Sequence, residues 1–180
     1  MVYCFLANGF EETEAIAPID MLKRAQIEIK TVGIGSQYVE GTHGITVKAD
    51  LTDSEIVLDE SLEAVILPGG MPGTLNLEAS ESVQNAVDFC AQNKKYICAI
   101  CAAPSILGHK GLLSGKEAIA YPGFEKDLAG AKISEKYVVS DGNIITAKGA
   151  GVAVDFGLEI VKCLKNEELY EKIRKSIQQI

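Results

Sequence analysis

Two cysteines, Cys98 and Cys101, lie three residues apart in the small, apolar run "YICAICAAPSILG" (96–108). Such a pair can ligate zinc, form a redox disulfide or leave one sulfur free as a nucleophile. A zinc site needs about four ligands, and the two histidines, His43 and His109, show no matching spacing. No metal is expected. A redox pair should open the helix that follows a strand, whereas Cys98 sits inside the strand-like run Tyr96–Ile100. Period-two alternation turns sulfurs three residues apart to opposite faces, so Cys98 is expected to pack as a small hydrophobe. Cys101 stands at the strand end, between Ala99 and Ala103. Small neighbours around a residue at a strand-to-helix junction fit a nucleophile elbow, in which a sharp turn lifts the central side chain from the sheet. The positive end of the following helix would favour a thiolate there. These residues alone leave open a reactive thiol and a structural one.

The stretch "GFEETEA" (9–15) brings acids to the loop after the first strand. Glu11 and Glu12 are expected to be solvated residues that complement a helix dipole. Glu14 need not share their exposure. Pointing into the crevice beside Cys101, it would be kept protonated by desolvation and a neighbouring thiolate, and could donate to the sulfur or move protons.

The elements that must position these groups alternate along the chain. Strand-like runs at 2–7, 27–34, 45–50 (expected to pair at a sheet edge), 64–70 and 95–101 are interleaved with helical patterns at 11–25, 80–93 and from 104 onward. A hairpin around Asp141-Gly142-Asn143 and closing helices at 152–164 and 167–179 follow. This predicts a three-layer α/β sandwich with a mainly parallel central sheet, a single domain over 1–180. Ligands in such sheets bind beyond the carboxyl ends of the strands, which selects the loop after Ala7, the glycines after Pro68, and Cys101. The chain has 180 residues, 47 % hydrophobic and 23 % charged, which is ordinary globular composition. A net charge of −8 with no basic run argues against a nucleic-acid surface. No apolar stretch approaches the ~20 residues of a membrane helix, and "MVYCFLANGFEE" lacks the basic region of a signal peptide. The expected compartment is the cytoplasm, with all five cysteines as free thiols.

"GFEETEAIAPIDMLKRA", "AVILPGGMPG", "ICAICAAPSILG" and "TAKGAGVAVDFGLEIV" together resemble the ThiJ/PfpI superfamily, and within it the branch of YajL and the Parkinsonism-associated protein deglycase. The resemblance implies a flavodoxin-like sandwich, commonly a homodimer, that works without a cofactor. It matches Cys101 to the reactive cysteine and Glu14 to a protonated glutamate bonded to it. Gly70 and the amide of Ala102 match donors to an oxyanion; Gly69, Arg24 and Gly149 match positions lining the pocket or its dimer edge. His43 and Tyr121 stand where some relatives place an arginine and a histidine, and are candidate pocket residues. No histidine follows Cys101 directly, and His109 is about 12 Å further along a helix, so a cysteine peptidase or amidase lacks its general base.

The resemblance implies a glyoxalase or deglycase acting on α-oxoaldehydes such as methylglyoxal, or on their protein adducts. The alternative is an oxidative-stress sensor or redox-regulated chaperone working through oxidation of Cys101.

Overall fold

In β1 (Val2–Leu6), Val2, Cys4 and Leu6 enter one core while Tyr3 and Phe5 enter another. A strand apolar on both faces must lie inside a covered sheet, and the computed structural model, which describes residues 1–179, shows that arrangement. After β1 come α1 (Glu12–Arg24), β2 (Ile29–Gly33), β3 (Tyr38–Glu40), β4 (Thr46–Lys48), β5 (Leu51–Thr52) and β6 (Ala64–Leu67). Then follow α2 (Gly73–Ala79), α3 (Glu81–Gln92), β7 (Tyr96–Ile100), α4 (Pro104–His109), β8 (Glu117–Ala118) and β9 (Lys132–Ile133). The chain continues through β10 (Val138–Asp141), β11 (Ile144–Ala147), α5 (Ala153–Leu164) and α6 (Glu167–Ser176).

The main sheet runs β10-β11-β7-β6-β1-β2-β5. All its pairings are parallel except β10 with β11, the hairpin expected around Gly142. Helices α1 and α5 cover one face with Cys4, Cys98 and Ile100, and α3 and α4 cover the other with Tyr3, Phe5, Ile97 and Ala99. The three-layer α/β architecture is therefore as expected. The segment 45–50 differs: β4 pairs with β3 in a separate two-stranded ribbon, and the sheet edge is the short β5. Helix α2 was not legible, since its Gly-Thr-Leu-Asn-Leu run carries no helical period. No helix among the described residues is long and apolar enough to cross a membrane.

Helices α1 and α5 approach closely because Gly157 has no side chain. A Cβ there would lie 2.7 Å from Pro18 Cα and 3.0 Å from the Met21 side chain. Gly157→Ala should therefore destabilise the fold by about 1–3 kcal/mol despite alanine's better helix propensity. Urea denaturation checks this; an unchanged midpoint would contradict the close packing.

Candidate active site

Strand β7 ends at Ile100, and Cys101 then takes a left-handed backbone conformation, φ +65°. A non-glycine residue there costs about 1–3 kcal/mol and is held only by its surroundings. Here Cys101 N–H donates to the Ala147 carbonyl (2.9 Å), and the Cys101 carbonyl accepts from Tyr121 N–H (2.8 Å). The turn passes through Ala102 and Ala103 into α4, with Pro104 in its first turn. Both alanines are buried, which explains why nothing larger flanks the elbow. Cys101 is partly exposed, whereas Cys98 lies fully buried in the α1/α5 core; all five cysteines are free thiols.

Glu14 reaches the elbow from the first turn of α1. Besides Glu12, the buried residues of that helix are Glu14, Ala15, Pro18, Ile19, Met21 and Leu22, so helical period places the Glu14 carboxyl on the inward face. Glu14 is only 1 % exposed. Its carboxylate accepts the N–H of Gly69 (2.9 Å), and the Ala150 amide and the Cys101 thiol face it and favour its charged form. The N–H groups of Ala102 and Gly70 face the Cys101 sulfur and favour its charged form. The two glycines after β6 make this possible. A Cβ on Gly69 would lie 2.6 Å from Cys101 Cβ and 2.7 Å from Glu14 Oε2. Gly70 has φ +91°, and a Cβ there would strike Glu11 N.

Burial pushes Glu14 up to about 7, helped by the charge of Glu11 and opposed by its hydrogen bonds from Cys101, Gly69 and Ala150. Burial and then the Glu14 carboxylate push the Cys101 thiol up to about 12, against the N–H groups of Ala102 and Gly70. The expected thiolate held down by a helix end is thus corrected. Helix α4 has six residues, and desolvation beside an acid outweighs its dipole. The site loses one proton near neutrality and resists losing a second.

A consequence for stability follows from the sign of the Glu14 shift. Between its ordinary 4.5 and about 7, the unfolded chain gives up this proton before the folded chain does. Folding stability contributed by Glu14 is present below that window and falls as pH rises through it, by up to about 3 kcal/mol. Glu14→Gln should flatten that slope in denaturation curves taken across the window; a variant keeping the full slope would contradict this burial.

Of the other two acids, Glu11 stands at the helix start as expected and Glu12 departs from expectation. Glu11 caps α1, accepting Glu14 N–H (2.7 Å). Glu12 is buried rather than solvated, and binds His43 N–H (2.8 Å), His43 Nδ1 (2.7 Å) and Ile45 N–H (3.4 Å). Burial opposes its ionisation, but those bonds outweigh it and hold the carboxyl below its ordinary value. His43 is exposed, and Glu12 raises its pKa. It anchors the 41–45 turn on Glu12 and is not among the groups bonded to the Cys101 sulfur. Arg24 does not line the pocket beside the sulfur: it ends α1, paired with Asp20 (2.8 Å). Ten residues from Glu14 on one helix, it is about 15 Å away.

Tyr121 and Gly149 do come together. A Cβ on Gly149 would lie 3.3 Å from Tyr121 Cδ2 and 3.8 Å from Glu14 Oε1. Both line a cavity of about 490 Å³ with Pro122, Tyr137, Lys148 and Val152. The last four, and the Ala150 amide, were missed by the sequence reading. For Lys148, Val152 and the Ala150 amide the signal was the run "KGAGV" directly after β11, at the same sheet end as Cys101, whereas Pro122 and Tyr137 carried none.

With this geometry in hand, comparison with known proteins identifies the family. The profile of the DJ-1/PfpI family matches residues 1–163. The chain is 33 % identical to protein dj-1beta of Drosophila melanogaster over 175 residues, covering 96 % of this chain and 93 % of that protein. It is 34 % identical to deglycase PfpI of Pyrococcus furiosus over 162 residues, covering 88 % of this chain and 96 % of that one. The solved structure of oxidized Toxoplasma gondii DJ-1 superposes with a TM-score of 0.93 at 32 % identity, covering 98 % of this chain and 97 % of that chain. The chain belongs to the DJ-1/PfpI family.

Proposed function

We propose that this member of the DJ-1/PfpI family is a cysteine-dependent, cofactor-independent glyoxalase and deglycase. It would convert α-oxoaldehydes such as methylglyoxal, free or as protein adducts, into 2-hydroxy acids. The observation carrying this reading is the convergence on one sulfur, at φ +65°, of a buried carboxyl and two backbone donors. As Cys101 Sγ attacks the aldehyde carbon, Glu14 takes the thiol proton and passes it to the new alkoxide. The N–H groups of Gly70 and Ala102 stabilise the charge that develops on that oxygen. Glu14 then takes the C–H proton of the hemithioacetal and returns it to the neighbouring carbon, while the hydroxyl proton crosses to the former ketone oxygen through the enediol, leaving a 2-hydroxy thioester. Water cleaves the thioester and frees the thiol. One carbon is oxidised and its neighbour reduced, so no external electron carrier is required. On a protein adduct, the amine leaves as sulfur takes its place. Lactate appearance from methylglyoxal, followed by NMR, tests the reading; no lactate above the buffer rate would overturn it.

The same donors would hold the oxygens of an oxidised sulfur, which favours a second reading in which peroxide oxidises Cys101 to a sulfinate. Mass spectrometry after mild peroxide should then find Cys101 modified ahead of the buried Cys4, Cys90 and Cys98. For either role the proposed form is a single-domain cytoplasmic homodimer, as family membership suggests, and sedimentation checks the dimer.

A further inference from the structure

The cavity beside the reactive sulfur is far larger than methylglyoxal requires. Its volume is about 490 Å³, within the range of sites for drug-sized molecules, and a methyl substituent would leave most of it to water. It shares walls with the reacting groups: Gly149 adjoins Glu14, Ala150 N–H faces Glu14, and Tyr121 N–H binds the Cys101 carbonyl. Most of its surface is carbon. Tyr121 and Tyr137 are 52 % and 62 % exposed, an unusual display for two large rings on one cavity. Its one cation is Lys148, whose Nζ lies 5.1 Å from the centre of the Tyr137 ring. Among the described residues Lys148 forms no ion pair; its charge favours ionisation of Glu125, which accepts Gly123 N–H.

We propose that this cavity is the subsite for the substituent on the carbonyl substrate, and that it selects aryl α-oxoaldehydes carrying an anionic group at the far end. The inference rests on the reaction proposed above. The ring would lie between the tyrosines and Val152, and the distal carboxylate would draw the Lys148 ammonium off Tyr137. Exchange of a cation–π contact for an ion pair favours the bound state at low salt.

The test compares kcat/KM for methylglyoxal, phenylglyoxal and 4-carboxyphenylglyoxal. Wild type should favour phenylglyoxal over methylglyoxal by about tenfold or more. The carboxylate should add a further factor of about five at low salt, shrinking as salt is added. Lys148→Gln should erase only the second factor, and Lys148→Arg should keep it. Equal kcat/KM for all three aldehydes, or a carboxylate preference that survives in Lys148→Gln, would overturn the subsite. A parallel measurement separates it from the chemistry: calorimetric binding of 4-carboxymandelate and mandelate to Cys101→Ser. If wild type turns over no aldehyde, the reaction reading fails. The subsite then stands if 4-carboxymandelate binds about fivefold tighter in a Lys148-dependent way, and falls if the two acids bind alike.

Discussion

Cys101→Ser should lower kcat/KM for methylglyoxal by about 10³-fold or more, because a buried hydroxyl ionises far less readily than a thiol and adds poorly to a carbonyl without a strong base. Serine is close to isosteric with cysteine, so the elbow that Ala147 and Tyr121 pin by backbone bonds should persist. Loss of turnover with an unchanged denaturation midpoint would then report chemistry rather than folding. Cys163→Ser is the matched control: that thiol is partly exposed and sits on α5 near Ser140 and Glu159, in no contact with the elbow. It should retain activity. Turnover by Cys101→Ser close to wild type would remove the cysteine from the mechanism.

Glu14→Gln should lower kcat by about 10²-fold, the usual contribution of one positioned proton-transfer group. The amide keeps the shape and can still donate to sulfur, but it neither takes the thiol proton nor moves the C–H proton. The pH profile changes as well. In wild type the rate should rise as pH increases through about 7, where the Glu14–Cys101 site loses its first proton. The variant should lack that inflection, because its remaining titratable group is a thiol held well above neutrality by burial. A Glu14→Gln profile that still inflects near 7 would assign that proton elsewhere.

Much of this arrangement was legible in the residues, and for identifiable reasons. The apolar β1, β6 and β7 could only be strands covered on both faces, which set the layer order and put Cys101 at a carboxyl strand end. Ala99, Ala102 and Ala103 advertised crowding at the elbow. Glu14 stands one residue before Ala15 and four before Pro18, on the stripe that α1 buries, so its inward direction was implicit in the helical period. Long-range burial was not legible. The helix after Cys101 suggested a thiolate, but the walls closing over it come from β6, α1 and the 148–152 turn, segments distant in sequence. Their desolvation reverses the expected direction. Glu12 shows the same limit, since the His43 turn that covers it begins about thirty residues later. The distance of Arg24 was legible: its position along α1 was fixed by counting, and ten helical residues carry it about 15 Å from Glu14.

The central claim is that the Glu14–Cys101 pair gives up its first proton near pH 7 and above that pH holds one proton between the two groups. Iodoacetamide alkylation of Cys101, followed by peptide mass spectrometry from about pH 5 to 11, tests it in wild type and in Glu14→Gln. The predicted wild-type rate climbs through an inflection near 7 to a plateau and climbs again only at the alkaline end, while Glu14→Gln shows a single alkaline rise. Superimposable curves for the two proteins would contradict the shared proton and, with it, the role assigned to Glu14.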